Sequence, residues 1–175
     1  MSINIKRIYN DVSALKLRVA GIETAEPPLI WKMSSVTNAG DYRGRILITG
    51  TGSQSGLVAT QLVYMDDTEQ WRKVHAGRTD AGAGNILGIA ISETPHTDGV
   101  LVEGICKLAG SYTSGHHDGG NTFTPTGSHV YMHNVTSGSY TSILPSGSGE
   151  IVRVVGHSIG EDMVYFNPSQ DYIEV

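Results

Sequence analysis

The stretch Val100-Leu101-Val102-Glu103-Gly104-Ile105-Cys106-Lys107-Leu108 decides the fold class, because its apolar side chains alternate with polar ones and glycine. A two-residue period over eight positions or more predicts a β-strand with one face in a core. Cys106 then lies in that core or is an ordinary thiol. It is the only cysteine of the chain, so no intrachain disulfide can form.

Segments of the same character recur after residue 28, separated by clusters of Gly, Ser, Asn and Asp. Many short strands with regular turn signals predict a mainly β protein built as antiparallel sandwich or barrel units. The glycine-rich stretch Asp80–Gly84 is the predicted boundary between a first β unit (27–84) and a C-terminal β domain (85–175). The predicted strands are Leu29–Met33, Arg45–Thr49, Leu57–Met65, Gln70–His75, Ile86–Ser92, Val100–Leu108, His129–Asn134, Ile151–Val155 and Met163–Phe166.

Residues 1–26 follow a different period, with apolar side chains spaced three and four apart without a break. This heptad predicts an α-helical coiled-coil stalk that Pro27-Pro28 ends, and isoleucine at both core positions favours a trimer. In the predicted coiled coil, Asp11 of one helix would face Lys16 of a neighbouring helix, and Arg18 would face Glu23, so that opposite charges pair. The alternative is an amphipathic helix packed on its own domain, because three heptads are few. The predicted oligomerisation residues are Ile5, Ile8, Val12, Leu15, Val19 and Ile22.

Composition excludes several classes of protein. Glycine fills 22 of 175 positions, and this excess disfavours a mostly helical enzyme. The glycines have no three-residue period, which excludes collagen, and no apolar run is long enough to span a bilayer. The net charge is −5 and the basic residues are scattered, so we expect neither nucleic acid nor a membrane as a partner. Without a secretory signal pattern at Met1, we expect folding in a reducing cytoplasm.

Two glycine motifs imitate catalytic or cofactor-binding sites. Gly156-His157-Ser158-Ile159-Gly160 matches the G-x-S-x-G elbow of α/β-hydrolases, but a strand follows it instead of a helix, and no histidine follows Ser158. We therefore predict a β-hairpin connection whose glycines supply positive φ. Gly50–Gly56 suggests a phosphate loop, yet no lysine or helix follows, so a hairpin loop is predicted. We therefore predict no catalytic residue, Cys106 included, and no cofactor.

Histidines supply the remaining candidates. His116-His117-Asp118 lies in a long loop, Gly110–Thr126, and His129 and His133 have a spacing that places both on one face of a strand. Imidazoles and a carboxylate in one loop suit zinc or a related ion. Adjacent histidines rarely converge on one metal, so a solvated loop remains the alternative and no metal ligand is assigned.

The C-terminal half resembles a module repeated in virion proteins of tailed bacteriophages, particularly those that infect cyanobacteria. The resemblance covers about 90 residues, with Pro145–Gly149 and Phe166-Asn167-Pro168 as its most specific parts. Its segments are Asn85–Ile91, Gly99–Gly104, Val130-Tyr131, Pro145–Gly156 and Val164–Val175. It implies a β-rich domain at the distal end of tail fibres or related capsid appendages, with no catalytic motif. The extended loop His116–Thr126 departs from that pattern.

Together these features predict a non-enzymatic structural protein of the virion, either a homotrimeric short fibre or a capsid decoration protein. Its partners would be its own copies and other virion proteins, the major capsid or tail proteins. The alternative is a module that binds a host receptor or surface glycan. The candidate receptor-contact residues are Tyr112, His116, His117, Asp118 and Asn121, together with Tyr140.

Overall fold

The computed structural model describes residues 35–77, 85–109, 123 and 126–175. The chain divides into two compact units, Met1–Ile30 and Trp31–Val175, and every described residue belongs to the second. The predicted coiled coil and the predicted strand Leu29–Met33 lie outside the described residues.

The described part of the chain is mainly β, as predicted, with a single short helix. The helix, α1, spans Pro95–Asp98. Every predicted strand that falls within the described residues has an observed counterpart, while β2, β8 and β12, two residues each, were not predicted. The strands are β1 (Tyr42–Leu47), β2 (Gly52–Ser53), β3 (Leu62–Met65), β4 (Gln70–Lys73), β5 (Leu87–Ala90), β6 (Val100–Lys107), β7 (His129–Met132), β8 (Tyr140–Thr141), β9 (Ile151–Val152), β10 (Val154–Ser158), β11 (Met163–Phe166) and β12 (Ile173–Glu174).

Ten of these strands form one large mixed sheet in the order β2-β4-β3-β5-β6-β11-β10-β7-β8, with β1 paired to β6. All the described pairs are antiparallel except β2 with β4. The predicted hairpin loop at Gly50–Gly56 is wrong, because the described strands on either side of it, β1 and β3, pair with other strands: β1 with β6, and β3 with β4 and β5. The remaining two strands, β9 and β12, form a small antiparallel sheet of their own.

Side chains of the sheet alternate between a large core and a smaller cluster on the other face. On β3, for example, Leu62 and Tyr64 enter the large core, while Val63 enters the smaller cluster. The large core also takes Leu101 of β6 and Phe166 of β11. Residues from both sides of the predicted boundary at 84/85 therefore share one sheet and one core, and that boundary does not separate two cores.

Backbone hydrogen bonds join the region of β3 and β4 to the β7–β8 hairpin, although these lie toward opposite ends of the strand order. The Leu62 amide donates to the carbonyl of Gly138, and the Gly138 amide donates to Val74. The Ala76 amide donates to the His133 carbonyl. The buried Tyr140 hydroxyl completes this junction, donating to the Thr60 carbonyl at 2.9 Å. The sheet is therefore curled, which lets a single core serve most of its strands.

Two glycines face each other in the antiparallel pair of β1 and β6. Gly44 and Gly104 are register partners in the antiparallel pair. A Cβ atom on Gly104 would overlap the carbonyl oxygen of Arg43, and one on Gly44 would overlap that of Glu103. Both residues also have positive φ, +154° and +146°. Only glycine therefore allows the two backbones to approach this closely.

We expect Gly104→Ala to lower the free energy of unfolding by roughly 3 kcal/mol, because the added methyl group must push β1 from β6. Urea denaturation followed by tryptophan fluorescence measures this loss. Gly52→Ala is the matched control, since the nearest atoms to its Cβ would lie 3.7 Å away, an ordinary contact distance. A loss of under about 1 kcal/mol is expected there. Equal losses of stability in the two variants would contradict the close approach of β1 to β6 at Gly104.

Candidate functional site

A polar cleft of about 620 Å³ opens beside the β3–β4 hairpin. Residues from separate parts of the chain surround it, and most of them carry charged or amide groups. Its lining consists of Gln54, Tyr64, Asp66, Asp67, Thr68, Arg72, Lys73, His75, Asn85 and Ser137. The amino-acid sequence does not reveal this cleft, because its residues converge only when β2, β4 and the segment before β5 come together.

Asp66 organises the rim of the cleft. Its carboxylate accepts hydrogen bonds from the Thr68 amide at 2.9 Å and from the Gln70 amide at 2.8 Å. The Thr68 hydroxyl and the Arg72 guanidinium also donate to it. Burial alone would raise the pKa of Asp66, but these hydrogen bonds outweigh burial and lower the pKa to about 2. Asp66 is therefore ionised at neutral pH and unsuited to act as a general acid.

Other groups of the cleft are fixed by bonds to the backbone. The side chain of Gln54 accepts a hydrogen bond from the Lys73 amide at 3.0 Å. The Asn85 side chain donates to the Met65 carbonyl at 2.9 Å. Tyr64 is only 9% exposed, so its ring offers little surface for stacking. The cleft is thus suited to hydrogen bonding with a polar, uncharged ligand, because its walls carry both signs of charge.

The G-x-S-x-G motif is part of a β-hairpin, as predicted, but its glycines act differently from the prediction. Ser158 is the last residue of β10, is fully buried, and its Oγ lies 3.5 Å from the Ser128 carbonyl oxygen. Gly156 does not have positive φ; it is needed because a Cβ would overlap the Tyr165 carbonyl oxygen of β11. The nucleophile elbow needs an exposed serine between a strand and a helix, and this serine has neither property.

A serine–histidine contact that the sequence analysis missed links β2 to α1. Ser53 Oγ lies 2.8 Å from His96 Nδ1, although 43 residues separate the two. In a typical serine nucleophile site, a third group orients the imidazole that activates the serine. The nearest acid of α1, Asp98, accepts instead from the hydroxyls of Ser92 and Thr94 at 2.6 and 2.7 Å. The Ser53–His96 bond therefore serves to attach α1 to β2.

His129 and His133 do not share a strand face, contrary to the prediction. His133 lies beyond the end of β7, and its Nδ1 accepts from the amides of Val135 and Thr136 at 3.0 and 2.8 Å. Burial, and then the nearby His75, lower the pKa of His133, which keeps its ring neutral and able to accept. His129 instead faces His157 of β10, with ring centres 4.9 Å apart.

The proposed receptor loop is described only in part. Tyr112, His116, His117, Asp118 and Asn121 lie outside the described residues. Phe123 is described and is buried in the large core, with its amide donating to the Glu161 carbonyl. The position of Phe123 itself is therefore fixed in the core.

Two further assignments concern single side chains. Tyr140 was a candidate receptor contact, and that was wrong, because the side chain is fully buried. Cys106 lies in the core, as predicted, and burial raises the pKa of its thiol to about 12. Neither side chain can therefore contact a ligand in solution.

Within the described ranges, no group of three or more His, Cys, Asp or Glu side chains could hold a metal ion. Over the same part of the chain, no helix combines the length and the apolar character that crossing a bilayer requires. Comparison of the chain with protein-family models, curated proteins and solved structures finds no match in any of the three.

We expect Asp66→Asn to destabilise the protein by about 2 kcal/mol at pH 7, because a carboxylate that accepts several hydrogen bonds is replaced by a neutral amide. The folded pKa of about 2 lies below the ordinary 3.8. The stabilisation is therefore fully present above about pH 4 and is lost as the pH falls toward 2. Urea denaturation of both proteins at pH 7, 4 and 2.5 measures this convergence.

Asp67→Asn is the control for that experiment. Asp67 is the next residue of the same turn and is exposed. Its replacement should change the free energy of unfolding by less than about 0.5 kcal/mol. A difference between Asp66→Asn and the natural protein that persists undiminished at pH 2.5 would contradict the assigned role.

Proposed function

We propose that this chain is a non-enzymatic structural protein of a tailed-bacteriophage virion, in which a trimeric N-terminal stalk carries a β domain. It acts as a short fibre or as a capsid decoration protein. One observation carries the proposal: the five main strands with the resemblance to virion proteins, β5, β6, β11, β10 and β7, are consecutive neighbours in the sheet. These five strands thus lie together in one sheet, as expected of a module shared between proteins, while β9 and β12 of the same segments pair with each other.

The location of these segments in the core supports a structural role. Leu87, Leu101, Val130, Val155 and Phe166 all lie within them, and all are buried in the large core. The resemblance therefore concerns packing and turns, and it includes no cluster of chemically active side chains.

Exposed apolar side chains favour a protein that contacts further chains. Single exposed apolar residues are common on any surface. Here three of them, Tyr172, Ile173 and Val175, lie in or next to β12, and Ile173 is 65% exposed. Contacts with virion proteins or with other copies would cover them. The exposed large apolar residues among those described are Ile48, Ile86, Val135, Ile143, Leu144, Tyr172, Ile173 and Val175.

The stalk can be tested by changing one heptad core position. The natural chain should sediment as a trimer of about 56 kDa, three times the 18.7 kDa of one chain. Leu15→Asp, at a predicted core position, should give a monomer, because a buried charge has no partner there. Ser13→Asp, at an outward position of the same helix, is the matched control and should remain trimeric. A natural chain that is monomeric at micromolar concentration would contradict the stalk.

A second candidate function is the binding of a host surface glycan, and the polar cleft is the observation that favours it. Sugars are polar and uncharged, and they are recognised by amides and charged side chains that donate and accept hydrogen bonds. Gln54, Asp67, Lys73 and Asn85 provide such groups in the cleft. A recognition role is compatible with a fibre, whose distal domain would meet the host.

For the glycan candidate, the double variant Asp67→Asn/Lys73→Met should reduce binding of the purified protein to host cells at least roughly tenfold, because the cleft loses the Lys73 ammonium donor and the charged acceptor of Asp67 without a change in net charge. Glu93→Gln/Arg43→Met makes the same changes of residue class at exposed positions away from the cleft lining and should bind normally. Unchanged adsorption by the cleft variant would instead favour a decoration role on the capsid.

A further inference from the structure

Two exposed histidines face each other across neighbouring strands. His129 of β7 and His157 of β10 are register partners in an antiparallel pair. Their ring centres lie 4.9 Å apart, with the ring planes inclined by 53°. Both side chains are exposed, so water and ions reach the space between the rings.

A β-bulge places both rings on the same side of the sheet. The register shifts between Val154 and Gly156, so that one extra residue of β10 faces the uninterrupted β7. After this shift, His157 points outward and Ser158 points into the core. Bulges commonly reorient the side chains that follow them. The glycine at 156 allows β10 to lie against β11 at this point.

The spacing of the rings matches a pair of ligands to one metal ion. Two imidazoles that bind an ion through nitrogen atoms about 2.1 Å from it, at roughly a right angle or slightly more, hold their ring centres roughly 5 Å apart. We propose that His129 and His157 form a two-histidine binding site for a divalent late transition-metal ion such as Zn²⁺, Ni²⁺ or Cu²⁺. The proposal is independent of the virion function.

Imidazole nitrogen is a ligand that these ions prefer, whereas Mg²⁺ and Ca²⁺ prefer oxygen. The described residues supply no third His, Cys, Asp or Glu at this place, so water would complete the coordination. Such an ion joins β7 to β10 and, because it binds the folded state alone, raises the temperature of unfolding. It does not need to move any backbone, since both ligands already face each other.

The test is a titration of the full, untagged chain with ZnCl₂ and with NiCl₂ at pH 7.5. Binding is measured by calorimetry, and the unfolding temperature is measured with and without each metal. We expect saturable binding by the natural chain and an increase in its unfolding temperature. His129→Gln and His157→Gln should each weaken binding at least roughly tenfold, since even loss of a group that only orients a ligand costs that much. The double variant should bind no better than either single variant.

Two controls separate this site from other histidines and from unfolding. The variant His116→Gln/His117→Gln should bind like the natural chain, because it leaves the strand pair intact. Without metal, the His129 and His157 variants should unfold at the temperature of the natural protein within a few degrees, because both side chains are exposed. Absence of binding by the natural chain, or binding that depends on His116 and His117 instead, would overturn the proposal.

Discussion

The close approach of β1 to β6 at Gly44 and Gly104 is the constraint on which much of the described fold depends. β6 pairs with β1, β5 and β11, so it connects the strands before residue 84 with those after it. Were β1 pushed away from β6, its Tyr42 and Ile46 would lose their packing against the large core. The absence of a side chain at two positions thus allows β1 to cover part of that core.

The same kind of constraint explains why motifs in this chain resemble catalytic sites. Position 156 is glycine because β10 and β11 approach closely there, and Ser158, two residues later, is buried by the alternation of β10. A close approach of two strands and a nucleophile elbow can thus both place a glycine two residues before a serine. The residues of the motif are therefore the same in the two cases, and only the surrounding elements distinguish them.

The polar groups of the surface are arranged by the turns of the sheet. Asp66 is held by backbone amides and Arg72, which fixes the β3–β4 turn and with it one wall of the cleft. The bulge in β10 likewise positions a surface side chain, because the register that follows it pairs His157 with His129. A turn and a β-bulge thus determine which polar side chains are presented at the surface.

Sequence alone determined the mainly β class and the position of most strands, because a two-residue period of apolar side chains is a local property. Only the tertiary structure decided that residues on both sides of 84 share one core, that Tyr140 is buried and that β2 pairs in parallel. It alone formed the cleft and the pair His129–His157. These features depend on which strands become neighbours and in which register, and that is set by packing between segments far apart in the chain.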